Sequence, residues 1–456
     1  EDPVRAYDAF VENMDFQEMG LPIIPFKAGA HEYHPKPMVK LLIYGYSYGI
    51  RSSRKLERAC HHNLSFMWLV SGIQPDYRTI ARFRKENKDA IRQVLKLNVK
   101  LCIKLDLIEG NTLFIDGSKF RANASINNTW DEEKCKKYLE IAEKNIDRLM
   151  KEVEQIDQEE EDLGSLVTLK KDLQDQKKLQ EKVRKISKQL KETGKEKVNA
   201  TDSDSVNGKS RQGSHAIMNC QISTDEKHGF IVNSDAVSQN NDLNQFASQV
   251  EQSKETLERA PANAVSDAGY FSLDDIDKVP EGVKVIMPSR KQAQKENKKT
   301  QVKPFGTEEF HYNKERDEYT CPAGKTLKKH KIAFGDENKI DYKANGKECR
   351  SCEHFGVCTT SKKGRHIIRM KENEELKAKL EETYQQEEGQ KLYKLRKEKM
   401  ELPFGHMKRN LGAGQFLLRG KEGVNAELSI LSTCFNIARM ITIIGIPTLI
   451  AKLNSM

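Results

Sequence analysis

The stretch Tyr393-Lys-Leu-Arg396-Lys-Glu-Lys-Met-Glu401-Leu-Pro403-Phe-Gly-His-Met-Lys408 decides how the rest of the chain is read. It is basic, its spacing predicts a helix, and it carries Glu401 seven residues ahead of Lys408. Positions seven apart return to nearly one helix face, so this acid and this lysine address the same side. Far upstream, two aspartates end apolar β-type runs, Phe114-Ile115-Asp116-Gly117 and Ala264-Val265-Ser266-Asp267-Ala268-Gly269-Tyr270. Two-metal phosphoryl transfer needs hard oxygen ligands, delivered from separate elements, around ions roughly 3.5–4 Å apart. Mg2+ takes one or two carboxylates and fills its remaining positions with water and substrate phosphate, so three acids suffice. Taken alone, any one of these aspartates reads better as a turn or helix cap, and the basic helix reads as a solvated face. The ordered set with its flanking sequences outweighs that.

The 456 residues exceed one ordinary core and predict two to four domains, or one domain with large insertions. A formal net charge of +9 with 32 % charged residues fits a polyanionic partner such as nucleic acid. The best apolar run, Ile441 to Ile450, is broken by Gly445 and Pro447, so no membrane span is expected. The chain starts at Glu1 without a charged-then-apolar leader and reads as a fragment lacking its N-terminus. Five of the nine cysteines are scattered, which suits a reducing cytoplasm; Cys321, Cys349, Cys352 and Cys358 cluster.

In chain order, residues 1–110 are read as a helical N-terminal domain. Pro37 suits the first turn of one helix, Ser52-Ser53 caps a second, and Asp76-Tyr-Arg-Thr-Ile-Ala-Arg-Phe-Arg84 is a capped helix. Its arginines, with Arg51, Arg54 and Arg58, suit a helix-turn-helix-like DNA reader, with a helical bundle bearing a solvated basic face as the equal alternative. Residues 131–194 read as an antiparallel coiled-coil hairpin, a spacer arm rather than a dimerisation element. Ala216–Ser223 and Gly229–Ser238 form a hairpin, Asp242–Leu257 a helix, Ala262–Ser266 a strand, Leu273–Lys278 a short helix and Val283–Met287 a strand, followed by a basic linker, Arg290–Lys303. A Cys-rich insertion (291–370) precedes a long charged helix from Glu372 toward Glu401 and a final apolar-faced helix, Glu427–Ile443. The order strand-acid, hairpin, helix, strand-acid, helix, strand, insertion, helix-acid matches an α/β fold, a ribonuclease H-like mixed sheet. Its core is assigned to 111–130 and 195–290 and completed by 371–456.

These words resemble one family, the bacterial insertion-sequence DDE transposases. Phe-Ile-Asp116-Gly-Ser-Lys119 is similar to the first acid's surroundings, Ser-Asp267-Ala-Gly-Tyr270 to the second's, and Tyr393-x2-Arg396 with Glu401-x6-Lys408 to the third's. Thr201-Asp202-Ser-Asp204, Asn241-Asp242-Leu243, Phe416-Leu-Leu-Arg419-Gly420, Tyr33-His34-Pro35-Lys36 and Pro75 to Arg84 add to the likeness. One departure is local: four residues separate Arg396 from Glu401 where three are usual. Glu398 is the rival acid, but seven positions beyond it lies Gly405, whereas Lys408 lies seven beyond Glu401; Pro403 can kink the helix and absorb the extra residue.

The resemblance implies that Asp116, Asp267 and Glu401 hold Mg2+ or Mn2+ and catalyse DNA cleavage at element ends and strand transfer into target DNA. It implies that Tyr393, Arg396 and Lys408 contact DNA near the metals, with Arg78, Arg82 and Arg84 as further DNA-binding residues. The implied partners are double-stranded DNA, as terminal repeats and target, and further copies of the chain in a synaptic complex, without a membrane, in the bacterial cytoplasm near the nucleoid. Two other readings keep these residues: a metal-dependent nuclease without joining activity, and a non-catalytic, transposase-derived DNA-binding protein. Cys321-x27-Cys349-x2-Cys352-x5-Cys358 suits structural tetrahedral Zn2+, with free cysteines in an irregular insertion as the alternative.

Overall fold

The computed structural model describes residues 2–21, 33–159, 163–210, 213–296, 305–306, 309–333, 339–370 and 374–455. The fold is mixed α/β and divides into two units: residues 1–242, 248–262 and 397–456 make the first, residues 243–247 and 263–396 the second.

The first unit opens with helices α1 (Val4–Glu12), α2 (Pro35–Ser47), α3 (Ser53–His62), α4 (Leu64–Leu69), α5 (Tyr77–Glu86) and α6 (Lys88–Lys104). Most of the middle starts are fixed by side-chain acceptors. His34 takes the Lys36 N–H ahead of α2, Asn63 caps α4, and Asp76 accepts from Thr79 N at 2.6 Å ahead of α5. Each satisfies an N–H that the helix itself cannot. Ser52 sits at the N-cap of α3 but forms no side-chain capping bond, contrary to expectation.

Strand β1 (Thr112–Arg121) does not end at the acid. It continues five residues beyond Asp116 because β5 (Gly213–Asp225) offers an antiparallel partner to every residue from Leu113 to Arg121, with Ile222 opposite Asp116 and Gln221 opposite Gly117. β5 pairs in turn with β4 (Val206–Ser210) and, as the expected hairpin, with β6 (Ile231–Val237). Between β1 and β4 a two-stranded ribbon, β2 (Thr129–Trp130) with β3 (Val198–Asn199), carries two long helices, α7 (Glu132–Glu159) and α8 (Leu163–Thr193). They run antiparallel: Glu143 meets Gln180 and Arg184, and Asn145 meets Gln176. An apolar cluster of Trp130, Cys135, Val183, Ile186 and Leu190 fixes the foot of this pair. Residues 160–162 of the expected separator lie outside the described residues.

α15 (Gly420–Ile444) and α16 (Ile446–Asn454) close the chain. α15 is long and apolar enough to cross a membrane, which corrects the reading that no run is, yet 67 % of its most apolar window is buried inside the protein. It packs on α2, α6 and β6. Its polar residues are engaged there: Asn425 accepts from Ala236 N, and Asn436 both accepts from Ile231 N and donates to Ile231 O. Such pairing lets polar groups occupy a core.

In the second unit the short strands β7 (Asn263–Val265) and β8 (Lys284–Ile286) pair in parallel, near the expected bounds. α9 (Phe246–Leu257) begins in this unit, where Asp275 of α10 (Leu273–Ile276) accepts from Phe246 N and Ala247 N. The linker begins as α11 (Arg290–Glu296); residues 297–303 lie outside the described residues. The Cys-rich segment is an antiparallel sheet: β9 (His311–Asn313), β10 (Glu318–Thr320), β11 (Thr326–Ile332), β12 (Lys339–Ala344) and β13 (His366–Met370), in the order β13-β12-β11-β10-β9. Phe310, Tyr319, Leu327, Ile340, Tyr342 and Ile367 give it a core, and α12 (Gly346–Arg350) sits in the connection after β12.

The expected long helix from Glu372 is two helices, α13 (Glu374–Gln385) and α14 (Glu387–Arg409). The corner is tight: a Cβ on Gly389 would come within 2.3 Å of Thr383 O, and Gln390 Nε2 donates to Tyr384 O. Within α14, residues to Arg396 belong to the second unit and those from Lys397 to the first.

Candidate active site

Asp116 sits mid-strand with its Oδ1 accepting from Gly117 N at 2.8 Å. Gly117 leaves room for two polar side-chain ends that lie over it. A Cβ there would fall 2.4 Å from Asp242 Oδ1 and 2.5 Å from Gln221 Nε2. Asp242 is held in that place by Asn219 Nδ2 at 2.8 Å and Gln221 Nε2 at 2.7 Å. The Asn241-Asp242 pair therefore brings a further carboxylate against β1, a position the sequence flagged only as a likeness.

The first-unit half of α14 lies along this strand. Buried Met400 receives the Thr224 hydroxyl, and Thr224 stands opposite Phe114. Phe404 meets the Phe120 ring at 6.2 Å between centroids. Lys408 Nζ donates to Ser118 Oγ at 2.6 Å and stands 4.5 Å over the Phe120 ring. Ser118 and Asp116 are two apart on one strand and so share a face. Burial pushes the Lys408 ammonium below the usual lysine range, because stripping water from a cation favours its neutral form. Glu401 is solvent-facing, 3.9 Å from Lys397. One heptad separates it from the anchored Lys408, while the heptad from Glu398 leads to Gly405, which has no side chain to anchor. Pro403 is accommodated within the helix.

In the second unit, Asp267 closes a single 3-10 turn by accepting from Gly269 N at 2.8 Å, with Tyr270 buried behind it. Arg396 Nη2 approaches Asp267 Oδ2 at 3.9 Å, and its guanidinium lies 5.5 Å from the Tyr393 ring centroid. Tyr393 in turn packs edge-on against Tyr384 at 5.1 Å. Tyr393, Arg396 and Asp267 are thus neighbours in one unit, and Lys408 and the strand of Asp116 neighbours in the other.

The expected DNA-contacting arginines separate. Arg78 and Arg82 are exposed, one helical turn apart on α5. Arg84 is 6 % exposed, and its guanidinium donates to Tyr46 Oη, Arg51 O and Ser53 Oγ. Its expected place on a DNA-facing surface is corrected to the interior of the helical region. Arg51 is buried too, donating to Gly412 O, Gln415 O and Glu427 Oε1, each at 2.6 Å. The other oxygen of Glu427 accepts from Leu417 N and Leu418 N. The Thr201-Asp202-Ser-Asp204 likeness has a structural role of its own. Asp202 accepts from Gly420 N and Asp204 from Lys421 N, capping α15.

The five scattered cysteines are buried, as small hydrophobes usually are. Cys321, Cys349, Cys352 and Cys358 all line one cavity of ≈ 30 Å³, and Lys325 N donates to Cys321 Sγ at 3.2 Å. Among the described residues, however, no three His, Cys, Asp or Glu side chains are placed to hold a metal ion, so the zinc expectation finds no support in the geometry.

Comparison with known families adds an independent line. A family described as a transposase DDE domain matches residues 320–441, which include Tyr393, Arg396, Glu401 and Lys408 together with the four clustered cysteines and strands β11 to β13. A second family, described as a transposase domain, matches residues 1–86, the span from α1 to α5. The chain is thus similar to transposase families over residues 1–86 and 320–441. Together the two matches support an insertion-sequence DDE transposase, in agreement with the motifs. No curated protein and no solved structure matches the chain.

Proposed function

We propose that the protein cleaves DNA at the ends of its mobile element and joins the freed 3′-hydroxyl to target DNA, using Asp116, Asp267 and Glu401 on a ribonuclease H-like core. The observation that supports the reading is the Lys408–Ser118 bond at 2.6 Å, which holds the end of the signature helix against the strand of Asp116, one heptad past solvent-facing Glu401. Within the second unit, Arg396 of the signature stretch approaches Asp267. All three are hard carboxylates, the donor type that Mg2+ takes, and Asp267 and Glu401 keep solvent contact, though among the described residues no three such side chains are grouped about a metal position. When bound by them, Mg2+ or Mn2+ would ease deprotonation of the attacking hydroxyl and offset charge on the leaving oxygen. Lys408, Arg396 and the exposed Arg78 and Arg82 would bind phosphates, fixing register without reading sequence.

The test is strand transfer with a labelled element end and Mg2+. Asp116→Asn, Asp267→Asn and Glu401→Gln should each lower cleavage and joining by at least about a hundredfold, the scale lost when a reacting group is displaced. DNA affinity should hold. Glu398→Gln should stay active; a silent Glu398→Gln beside an active Glu401→Gln would move the third acid. Free 3′-ends without joined product would assign a nuclease instead.

A further inference from the structure

A cleft of ≈ 380 Å³ opens in the first unit, lined by the start of α3 (Ser52, Lys55), the end of β1 (Arg121) and the loop after α14 (Gly412, Gly414). Its volume is within the range of sites that take a nucleotide-sized group. Its lining is cationic: Arg51, Lys55 and Arg121 contribute, and no Asp or Glu is among the described residues that line it. Arg51 is neutralised by Glu427, yet its buried Nε has no hydrogen-bond partner. Lys55 is exposed. The first intrahelical bond of α3 runs from Leu56 N to Ser52 O. The N–H groups of Ser53, Arg54 and Lys55 therefore lie outside the helical ladder, and Ser52 does not cap them. The opposite wall is backbone. Gly414 has open space where a Cβ would stand, and the segment is pinned to β1 by Arg121 N donating to Gly414 O and Phe416 N donating to Arg121 O.

We propose that this cleft seats a phosphodiester of the DNA strand that runs past Asp116. The address rests on the reading of Asp116 as a catalytic acid; the phosphate chemistry does not. Arg121 lies five residues beyond Asp116 on one strand, about 17 Å at the usual rise of an extended chain. Lys408, at Ser118, lies between them along β1. Five residues is an odd separation, so the Arg121 side chain leaves β1 on the face opposite Asp116 and Ser118, and the cleft holds the DNA where it rounds the end of β1, a few nucleotides from the reacting bond.

The experiment measures DNA-duplex affinity of the full chain across salt concentrations for Lys55→Ala, Lys55→Arg and Gly414→Glu, with thermal melting to confirm folding. Gly414 needs no left-handed backbone and faces open space, so its substitution fills the cleft without disturbing the core. Lys55→Ala and Gly414→Glu should each weaken binding several-fold. Lys55→Ala should also flatten the log–log salt slope by about 0.9, the share of one phosphate contact. Lys55→Arg should retain both. A folded Gly414→Glu protein with unchanged affinity overturns the proposal, as does a parent protein without DNA affinity. If inorganic phosphate binds with Lys55 dependence while Gly414→Glu leaves DNA binding intact, the cleft serves free anions and the DNA assignment falls. Cleavage lost in Asp116→Asn beside normal binding in Gly414→Glu leaves the catalytic reading standing alone. Weakened binding in both cleft variants with no cleavage by the parent does the reverse.

Discussion

His406 and Glu427 show two ways a single buried group governs this molecule. The His406 ring is half-buried, edge-on to Phe435 at 5.6 Å, with Nδ1 beside the Asn410 amide. Burial lowers its pKa below the ordinary 6.5, and His228 is lowered in the same direction by burial and then by Lys227, Lys399 and Arg439. With both folded values below the unfolded ones, the unfolded chain takes up protons first as pH falls through 6.5. Stability is therefore full above that pH and is lost on acidification toward the folded values. Thermal melts between about pH 7 and pH 5 should show a smaller drop for His406→Gln with His228→Gln than for the parent. Glu427 is fully buried and shared by Arg51, Tyr46 and two backbone N–H groups. Removing it leaves Arg51 charged and unpaired in the interior. Glu427→Ala should cost about 3–5 kcal/mol in denaturant unfolding, the usual loss when one partner of a buried pair is deleted. A cost below about 1 kcal/mol, the range of an exposed pair, would show that the network is water-relieved.

At the scale of elements, the α7/α8 pair stands on a small foot. Trp130 meets Tyr138 edge-on at 5.0 Å between centroids, has the Lys134 ammonium over its ring at 4.7 Å, and packs in the cluster that includes Val183 and Ile186. Trp130→Ala should remove about 3–5 kcal/mol of packing there. Limited proteolysis should then cut α7 and α8 faster while β1 and β5 stay protected; equal protection of the helices would show that they hold without their foot. The long helices, the β5/β6 hairpin and the β7–α10–β8 run were legible because their periods and turn residues were strong. The start of α3 fell where Ser52-Ser53 marked it, but the capping bond those serines suggest does not form. The five-stranded sheet was hidden because its strands are short and lysine-rich, with β11 mostly exposed beyond Leu327. The break between α13 and α14 was hidden because a glycine at a helix corner looks locally like any helix glycine.

At the scale of the whole molecule, the sequence offered the candidate site residues as words but not as neighbours. That Lys408 reaches Ser118 across 290 residues, that Asp242 crowds Gly117 and that Arg84 turns inward onto Tyr46, Arg51 and Ser53, 31–38 residues back, are contacts between separate elements that no local pattern encodes. The helices matched to a transposase domain, α1 to α5, bury Arg51 and Tyr46 on Glu427 of α15. A chain ending at residue 419 should therefore leave those helices partly unfolded, seen as lost helical circular dichroism from α1 to α6 and loss of cooperative melting. A truncated chain with native-like melting of that region would show that the region folds alone.

The Arg51–Glu427 pair joins residues 376 apart in sequence. At synthesis rates of about 5–20 residues per second, roughly 20–75 seconds pass between the emergence of one partner and the other. For that interval the nascent chain holds its amino-terminal helices without their lock. A polypeptide interrupted before Glu427 is made is thus left with amino-terminal helices that lack this partner.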